Sequence, residues 1–290
     1  MLTPASFKFA ICLVTCTARG ACGNDLIFVE LLQYNNIKRP SFQLKRGCFF
    51  ARRQKNSREP YFIVIFEKAR YNGCMNRPDY DKIMQSEAAR LTEKCGRKPR
   101  LLLHSCCAPC SSACLERLKD CFEITVFYYN PNIGGEEYLK RKAEQFRLLK
   151  ETGWPDILDC DHEAEKFAKV CEGLQDAPEG GARCIKCFEL RIGRTAEEAE
   201  RGGFDCFTTT LTVSPLKNAS AINLIGERAA AGKNAVWLHS DFKKRGGYLR
   251  SCELAREHGL YRQDYCGCEF SKRERDRRKD GAEKRQDYSK

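Results

Sequence analysis

The sequence predicts an α/β domain with a mostly parallel, Rossmann-like sheet and helices on both faces. Three observations predict it. Short apolar and β-branched runs alternate with amphipathic stretches from about Lys98 to about Phe270. The first run, Leu101-Leu102-Leu103, stops at a polar, thiol-bearing turn, as a buried strand does when it ends at a site. Helix-forming sequence follows that turn, and in this class of fold a strand-to-helix junction faces the ligand crevice.

The elements follow in order. An amphipathic stretch from Ile83 to Leu91 precedes the sheet. Leu101–His104 is the first strand and Ser111–Lys119 its helix. Phe122–Tyr129, rich in β-branched and aromatic residues, is the second strand, stopped by Asn130-Pro131-Asn132. Glu136–Glu151 is a strong helix with Tyr138, Leu139, Phe146 and Leu149 on one side. Trp154–Leu158 is a brief third strand, and Glu163–Cys171 is helical. Ile185–Arg201 is a long helix closed by Gly202-Gly203. Phe204–Thr209 is a strand, Ala219–Ala231 a helix and Ala235–Leu238 the last strand. Tyr248–Glu257 is helical and stops at Gly259. One domain over 98–270 follows, with a helix in 75–97 before it.

Two ends stand apart. Residues 1–74 carry 12 Lys+Arg against 4 Asp+Glu, and residues 271–290 carry 9 against 5. The overall charge is +12, so the body between them is neutral. Residues 1–74 have scattered cysteines and a possible strand at Phe62–Phe66 without an evident partner. We read them as an upstream extension outside the functional protein, because Met75 opens a sensible N-terminus. Phe9–Thr15 is short and apolar like a signal peptide, but reduced cysteines downstream argue for the cytosol. Nothing is long and apolar enough to span a membrane. The segment 271–290 reads as a solvated, disordered basic tail, and its Lys272, Arg273, Arg275, Arg277, Arg278 and Lys279 are a phosphate-contacting cluster.

The chain has 19 cysteines. An odd count with adjacent and CxxC spacing fits metal or redox chemistry better than a disulfide framework. Cys106-Cys107 sit where helix N-terminal amides favour thiolate. Cys184-Ile-Lys-Cys187 opens a helix, where residues three apart share a face. Two pairs make four thiolates, which suit zinc or an iron–sulfur cluster by count. Adjacent cysteines are awkward around one ion, so the spacing favours a cluster. Cys266-Gly-Cys268 permits a small-ring disulfide, labile and redox-active, or two further ligands. Cys110 and Cys114 fall on the helix after the first turn and read as small buried residues, with a metal-ligand role as the alternative. His104, at the end of a buried strand, reads as a satisfied core histidine.

Around these sit polar loops. Phe242-Lys243-Lys244-Arg245-Gly246-Gly247 suits a phosphate backbone, and Tyr261-Arg262-Gln263-Asp264-Tyr265 suits an unstacked nucleobase. Asn218 is placed to cap a helix. The first loop, Ser-Cys-Cys-Ala-Pro-Cys, lacks the Gly-rich cradle that ATP chemistry needs there.

Together these residues resemble the QueH family of epoxyqueuosine reductases. The matching pieces are Leu103 to Ser111, Tyr129-Asn-Pro-Asn-Ile133, Arg183-Cys184-x-x-Cys187 and Ser214-Pro-x-Lys217-Asn218. Asp241-Phe-Lys-Lys244 and Leu260-Tyr-Arg-Gln-x-Tyr265-Cys266-Gly-Cys268 complete them. The similarity covers about Tyr80 to Ser271. Phe188 stands where the family often has Tyr. The resemblance implies a HUP-like sheet and cobalamin-independent reduction of the epoxide of epoxyqueuosine at the tRNA wobble position. It implies a [4Fe-4S] cluster on Cys106, Cys107, Cys184 and Cys187, and a redox-active disulfide of Cys266 and Cys268. An additional iron acting as Lewis acid on the leaving oxygen fits that chemistry, with Asp241, Asp264 or Tyr265 as proton donor. Lys243, Lys244, Arg245, Tyr261 and Arg262 are the expected tRNA contacts, and the electron donor is external. Two other readings use the same residues: a zinc-stabilised RNA-binding module, and a thiol–disulfide oxidoreductase working through Cys266 and Cys268 alone.

Overall fold

A computed structural model describes residues 11–19, 25–33, 78–154 and 156–287, in two units, Met1–Met75 and Asn76–Lys290. In the first unit β1 (Ile11–Arg19) pairs antiparallel with β2 (Asp25–Gln33). The strand expected at Phe62–Phe66 lies outside the described residues.

The second unit opens with α1 (Tyr80–Cys95), capped by Asp79, whose carboxylate accepts from the Asp81 amide at 3.2 Å. Five strands follow: β3 (Arg100–His104), β4 (Glu123–Phe127), β5 (Ile157–Leu158), β6 (Cys206–Thr209) and β7 (Val236–Trp237). They form one all-parallel sheet in the order β5-β4-β3-β6-β7. From β3 the chain adds β4 and β5 on one side and then β6 and β7 on the other, so the strand order switches between β3 and β6 and the crevice opens beyond the carboxyl ends of those two strands. The third strand is shorter than its sequence suggests: only Ile157 and Leu158 pair with β4.

The connections are α2 (Ala108–Leu118), α3 (Gly135–Thr152), α4 (Ala164–Val170), α5 (Ala182–Arg201), α6 (Ala219–Ala230) and α7 (Gly247–Glu257). They cover both faces. Leu101 and Leu103 pack with Met84 and Leu91 of α1, Leu115 of α2 and Leu149 of α3. Leu102 points the other way, against Ile192 and Ala196 of α5 and Ile222 of α6. All three leucines of β3 are fully buried. That accounts for the unbroken apolar run, because a central parallel strand has no solvent face. Each contributes about 1.5–3 kcal/mol by its burial.

The tail departs from the reading as disordered. Glu269–Asp287 forms a helix, α8. Phe270 and Ser271 are buried in its first turn and anchor it. Beyond them the Arg, Lys and Glu residues are good helix formers that also pair along the helix, as Arg278 does with Glu274 at 3.6 Å.

Candidate active site

The turn after β3 is held from several sides. The Ser105 amide donates to Phe127 O at 2.9 Å, and the Asn130 side-chain amide donates to Ser105 O at 2.9 Å. Ser105 and Ser111 hydroxyls both donate to Gln145 Oε1 of α3, at 2.7 and 2.9 Å. Cys107 is the extended residue before α2, and Pro109 occupies the first turn. The helix therefore starts at Ala108, earlier than the sequence suggests, since proline at this position lacks only an amide that has no partner anyway. This early start brings a third sulfur in. Cys107 and Cys110 are three residues apart at a helix start, and the sulfurs of Cys106, Cys107 and Cys110 all lie within 4.8 Å of one another. Cys106 Sγ and Cys107 Sγ are 3.8 Å apart, so the sharp turn overcomes the usual divergence of adjacent side chains.

The three thiols differ in acidity. Hydrogen bonds from the Cys107 thiol and then the Cys110 thiol pull Cys106 well below the ordinary thiol range, with Arg191 and Lys217 helping against burial. Its bond to Cys106 holds Cys107 up at about 12, and Cys110 is pushed up by the same sharing. Thr210, just past β6, accepts from the Cys106 amide at 3.2 Å. Gln263 donates to Cys107 Sγ at 2.9 Å.

Cys184 and Cys187 lie in the first two turns of α5. The Gly180 amide donates to Cys184 Sγ at 3.2 Å. Burial pushes Cys187 up to about 12. Arg183, buried beside Cys184, donates to Gln175 O at 3.0 Å and pairs with Glu274 of α8 at 3.2 Å. One turn past Cys187, buried Arg191 donates to Asn130 Oδ1 at 2.5 Å. Burial opposes its charge, but the sulfurs of Cys187, Cys106 and Cys266 more than offset this. His104 is buried with Thr209 Oγ1 at 2.7 Å and Tyr129 O at 3.0 Å. Burial and then Arg191 depress it to about 3, so it stays neutral, a core histidine.

Cys266 and Cys268 stand as two thiols in the loop before α8. Buried Arg141 of α3 fixes that loop, donating to Cys266 O at 3.0 Å and Tyr265 O at 3.3 Å while pairing with Glu137 at 2.5 Å. Gly267 has φ +117, and a Cβ there would meet Arg141 Nη1 and Ile133 Cγ1, each at 2.9 Å. Glycine is therefore required both by the backbone angle and by the close approach.

Two adjoining cavities join these groups. The smaller, 220 Å³, is lined by Cys184, Cys187, Cys266 and Cys268, together with Asn132, whose buried Oδ1 has no hydrogen-bond partner. The larger, 630 Å³, takes in Cys106, Cys110 and Arg191. Cys266 and Lys217 line both. Burial works against a charge on Lys217, yet the sulfurs of Cys266, Cys106 and Cys110 raise it above its ordinary value. Cys184 and Cys187 thus line the cavity next to the one that Cys106 lines, while Cys107 lines neither, and among the described residues they join no sulfur group as tight as that of Cys106, Cys107 and Cys110.

The structure separates the expected RNA contacts. Arg262 lines the larger cavity and donates to the Tyr248 hydroxyl at 3.4 Å. The Tyr261 hydroxyl instead donates to Glu137 at 3.2 Å, with Lys140 over its ring at 3.5 Å. Lys243 pairs with Asp241 at 2.7 Å and Arg245 with Asp81 of α1 at 2.7 Å, and with Lys244 they stay outside both cavities. Asp241 and Asp81 pair with two of the three cations of this loop, and the Asp81 pairing, between residues far apart in sequence, is one that a sequence pattern cannot show. Of the expected proton donors, Asp241 is held by Lys243, and Asp264 by Arg275 at 2.5 Å and Lys279 at 2.7 Å. Tyr265 lines the larger cavity.

Sequence reasoning ranked Cys110 as a buried residue ahead of a ligand, and passed over Arg141, Arg191 and Lys217. Arg191 carried a signal, four residues past Cys187 on the same helical face. Lys217 stood inside a quoted motif without a role. Arg141 gave none, being one charge among many on a charged helix.

Fold and site define an α/β protein of the parallel, Rossmann-like class with a cysteine-built centre. Soft sulfur donors in this number fit zinc, copper(I) or iron–sulfur chemistry, and the buried cations Arg191 and Lys217 offset the charge such a centre brings. Residues 101–274 match the family model for epoxyqueuosine reductase QueH, and the chain belongs to that family. It is 40% identical over 199 residues to the epoxyqueuosine reductase QueH of Streptococcus pyogenes, covering 67% of this chain and 78% of the relative. The Staphylococcus epidermidis relative is 40% identical over 201 residues, covering 67% and 84%. The Thermotoga maritima relative is 35% identical over 182 residues, covering 60% and 91%.

Proposed function

We propose that this chain reduces epoxyqueuosine in tRNA to queuosine, the last step in building that modified wobble base. The observation that carries the reading is the position of Cys266: it lines both cavities, the one that takes in Cys106 and Cys110 and the one that takes in Cys184 and Cys187. Family membership supplies the substrate class. Both carbon–oxygen bonds of the epoxide break, an alkene forms and the oxygen leaves as water. The change consumes two electrons and two protons, and oxidation of Cys266 and Cys268 from two thiols to a disulfide yields that number. An external donor then restores the thiols.

Cys106, Cys107, Cys184 and Cys187 are the proposed holders of a [4Fe-4S] cluster, which when bound supplies low-potential, one-electron transfer. This chain's own residues do the rest. Arg141 fixes the Cys266 carbonyl, and so the direction of the loop. Lys217 keeps a positive charge between the thiols and the open cleft. Gln263 holds Cys107 by its sulfur. Among the described residues no helix is long and apolar enough to cross a membrane. A tRNA substrate places the reaction in the cytosol.

Mass spectrometry of tRNA nucleosides from a strain lacking this gene tests the reading. Epoxyqueuosine accumulates, and the restored gene converts it to queuosine. Normal queuosine in the deletion strain would overturn the assignment.

A further inference from the structure

The basic residues of α8 are not equivalent. Arg275, Arg278 and Lys279 stand at i, i+3 and i+4, so they form one stripe along the helix. All three line the larger cavity. Lys272, Arg273 and Arg277 do not, and Arg273 lies over the Phe270 ring at 5.0 Å. The stripe is held in place rather than trailing in solvent. Asp264 takes Arg275 and Lys279, Glu274 takes Arg183 at 3.2 Å, and Phe270 is buried beneath.

The same cleft has an apolar, aromatic share. Leu216 is 72% exposed and Tyr248 is 37% exposed, and both line it. The Arg262 guanidinium lies over the Tyr248 ring at 5.8 Å. Cations that track phosphates, set beside flat surfaces on which bases stack, are the two parts of a single-stranded RNA groove. Apart from Arg141, Arg191 and Lys217, which serve the sulfur groups, the residues lining the cleft include four cations, Arg262, Arg275, Arg278 and Lys279, against two carboxylates, Glu179 and Asp264. An anionic partner is therefore favoured over an acidic-rimmed or apolar one.

We propose that the Arg275–Arg278–Lys279 stripe of α8 is the phosphate-binding wall for the tRNA anticodon arm, with Tyr248 and Arg262 as its base-stacking platform. The proposal rests on the tRNA reading above and names the surface that reading leaves open. It assigns the docking charge to the face of α8 that lines the cleft, and the Lys243–Arg245 loop lies outside that cleft.

Two charge-matched pairs test it. Arg278→Gln/Lys279→Gln removes two charges from the stripe. Lys272→Gln/Arg277→Gln removes two from elsewhere on the helix, and glutamine keeps the helix propensity in both. The probe is an unmodified tRNA transcript, followed by fluorescence anisotropy over a series of salt concentrations with the full chain. The stripe pair weakens binding about tenfold, and the slope of log K against log salt falls by about 1.4. The other pair changes Kd by less than about threefold, the non-specific share of two distant charges. Equal losses in both pairs, or none in the stripe pair, would overturn the proposal. Circular dichroism checks that both pairs keep the helix. Wild-type protein is assayed in parallel on epoxyqueuosine-containing tRNA. Failure there, with the binding difference intact, would remove the reductase reading and leave the docking wall standing.

Discussion

Two walls of one hollow carry the sulfur, and they are built differently. The Cys106–Cys107–Cys110 wall belongs to the sheet. It lies within a single turn and helix start, tied to β4 and α3 by Ser105, Asn130 and Gln145. The Cys266–Gly267–Cys268 wall belongs to a loop, and its position depends on one buried arginine from a distant helix. Sulfur on a rigid turn is suited to holding a centre still. Sulfur on a tethered loop is suited to changing its bonding during turnover. Cys184 and Cys187 stand between these cases, on a helix but close to the loop thiols.

The largest effect expected is one that separates the walls by role. Cys107→Ser and Cys268→Ser both abolish epoxide reduction, but only Cys107→Ser lowers bound iron, by at least about tenfold. Iron analysis and the brown colour of anaerobically purified protein check this. Loss of iron in both would merge the walls into one ligand set, and a colourless wild-type protein carrying zinc would point to a structural metal. Next in size is Arg141→Met, which leaves two loop carbonyls and Glu137 without their cation. Activity falls about 10–100-fold and stability by about 3 kcal/mol. Iron content stays near wild type, and urea unfolding with metal analysis reads both. Smallest is Gly267→Ala, which forces a strained backbone angle and a 2.9 Å approach to Ile133. It costs about 1–3 kcal/mol of local strain and lowers turnover about tenfold, with the sheet wall unaffected. A wild-type rate in this variant would show that loop geometry does not limit the reaction.

The two walls were also unequally legible. Leu101–Leu103 announces a buried central strand because nothing polar interrupts it, and the strand–helix alternation that follows fixes the class of sheet. The pairs Cys106-Cys107, Cys184-x-x-Cys187 and Cys266-x-Cys268 are visible as local spacings. Cys110 ranked low as a ligand because its place depends on the extended backbone of Cys107, which starts α2 early. Arg141 was hidden because the carbonyls it binds lie 124 and 125 residues away. The Lys243–Arg245 loop looked like free positive charge for a related reason, since the Asp81 that neutralises Arg245 comes from α1. Long-range pairing of charge leaves no periodicity to read.

The double grip on Asp264 has a further consequence. Arg275 and Lys279 hold that carboxylate, and it sits two residues before Cys266. A phosphate that takes those cations competes with Asp264 and removes one tether of the loop that carries the thiols, while Arg141 keeps the other. Docking and loop release are then two ends of one thermodynamic cycle, and by reciprocity whatever loosens the loop strengthens docking by the same factor.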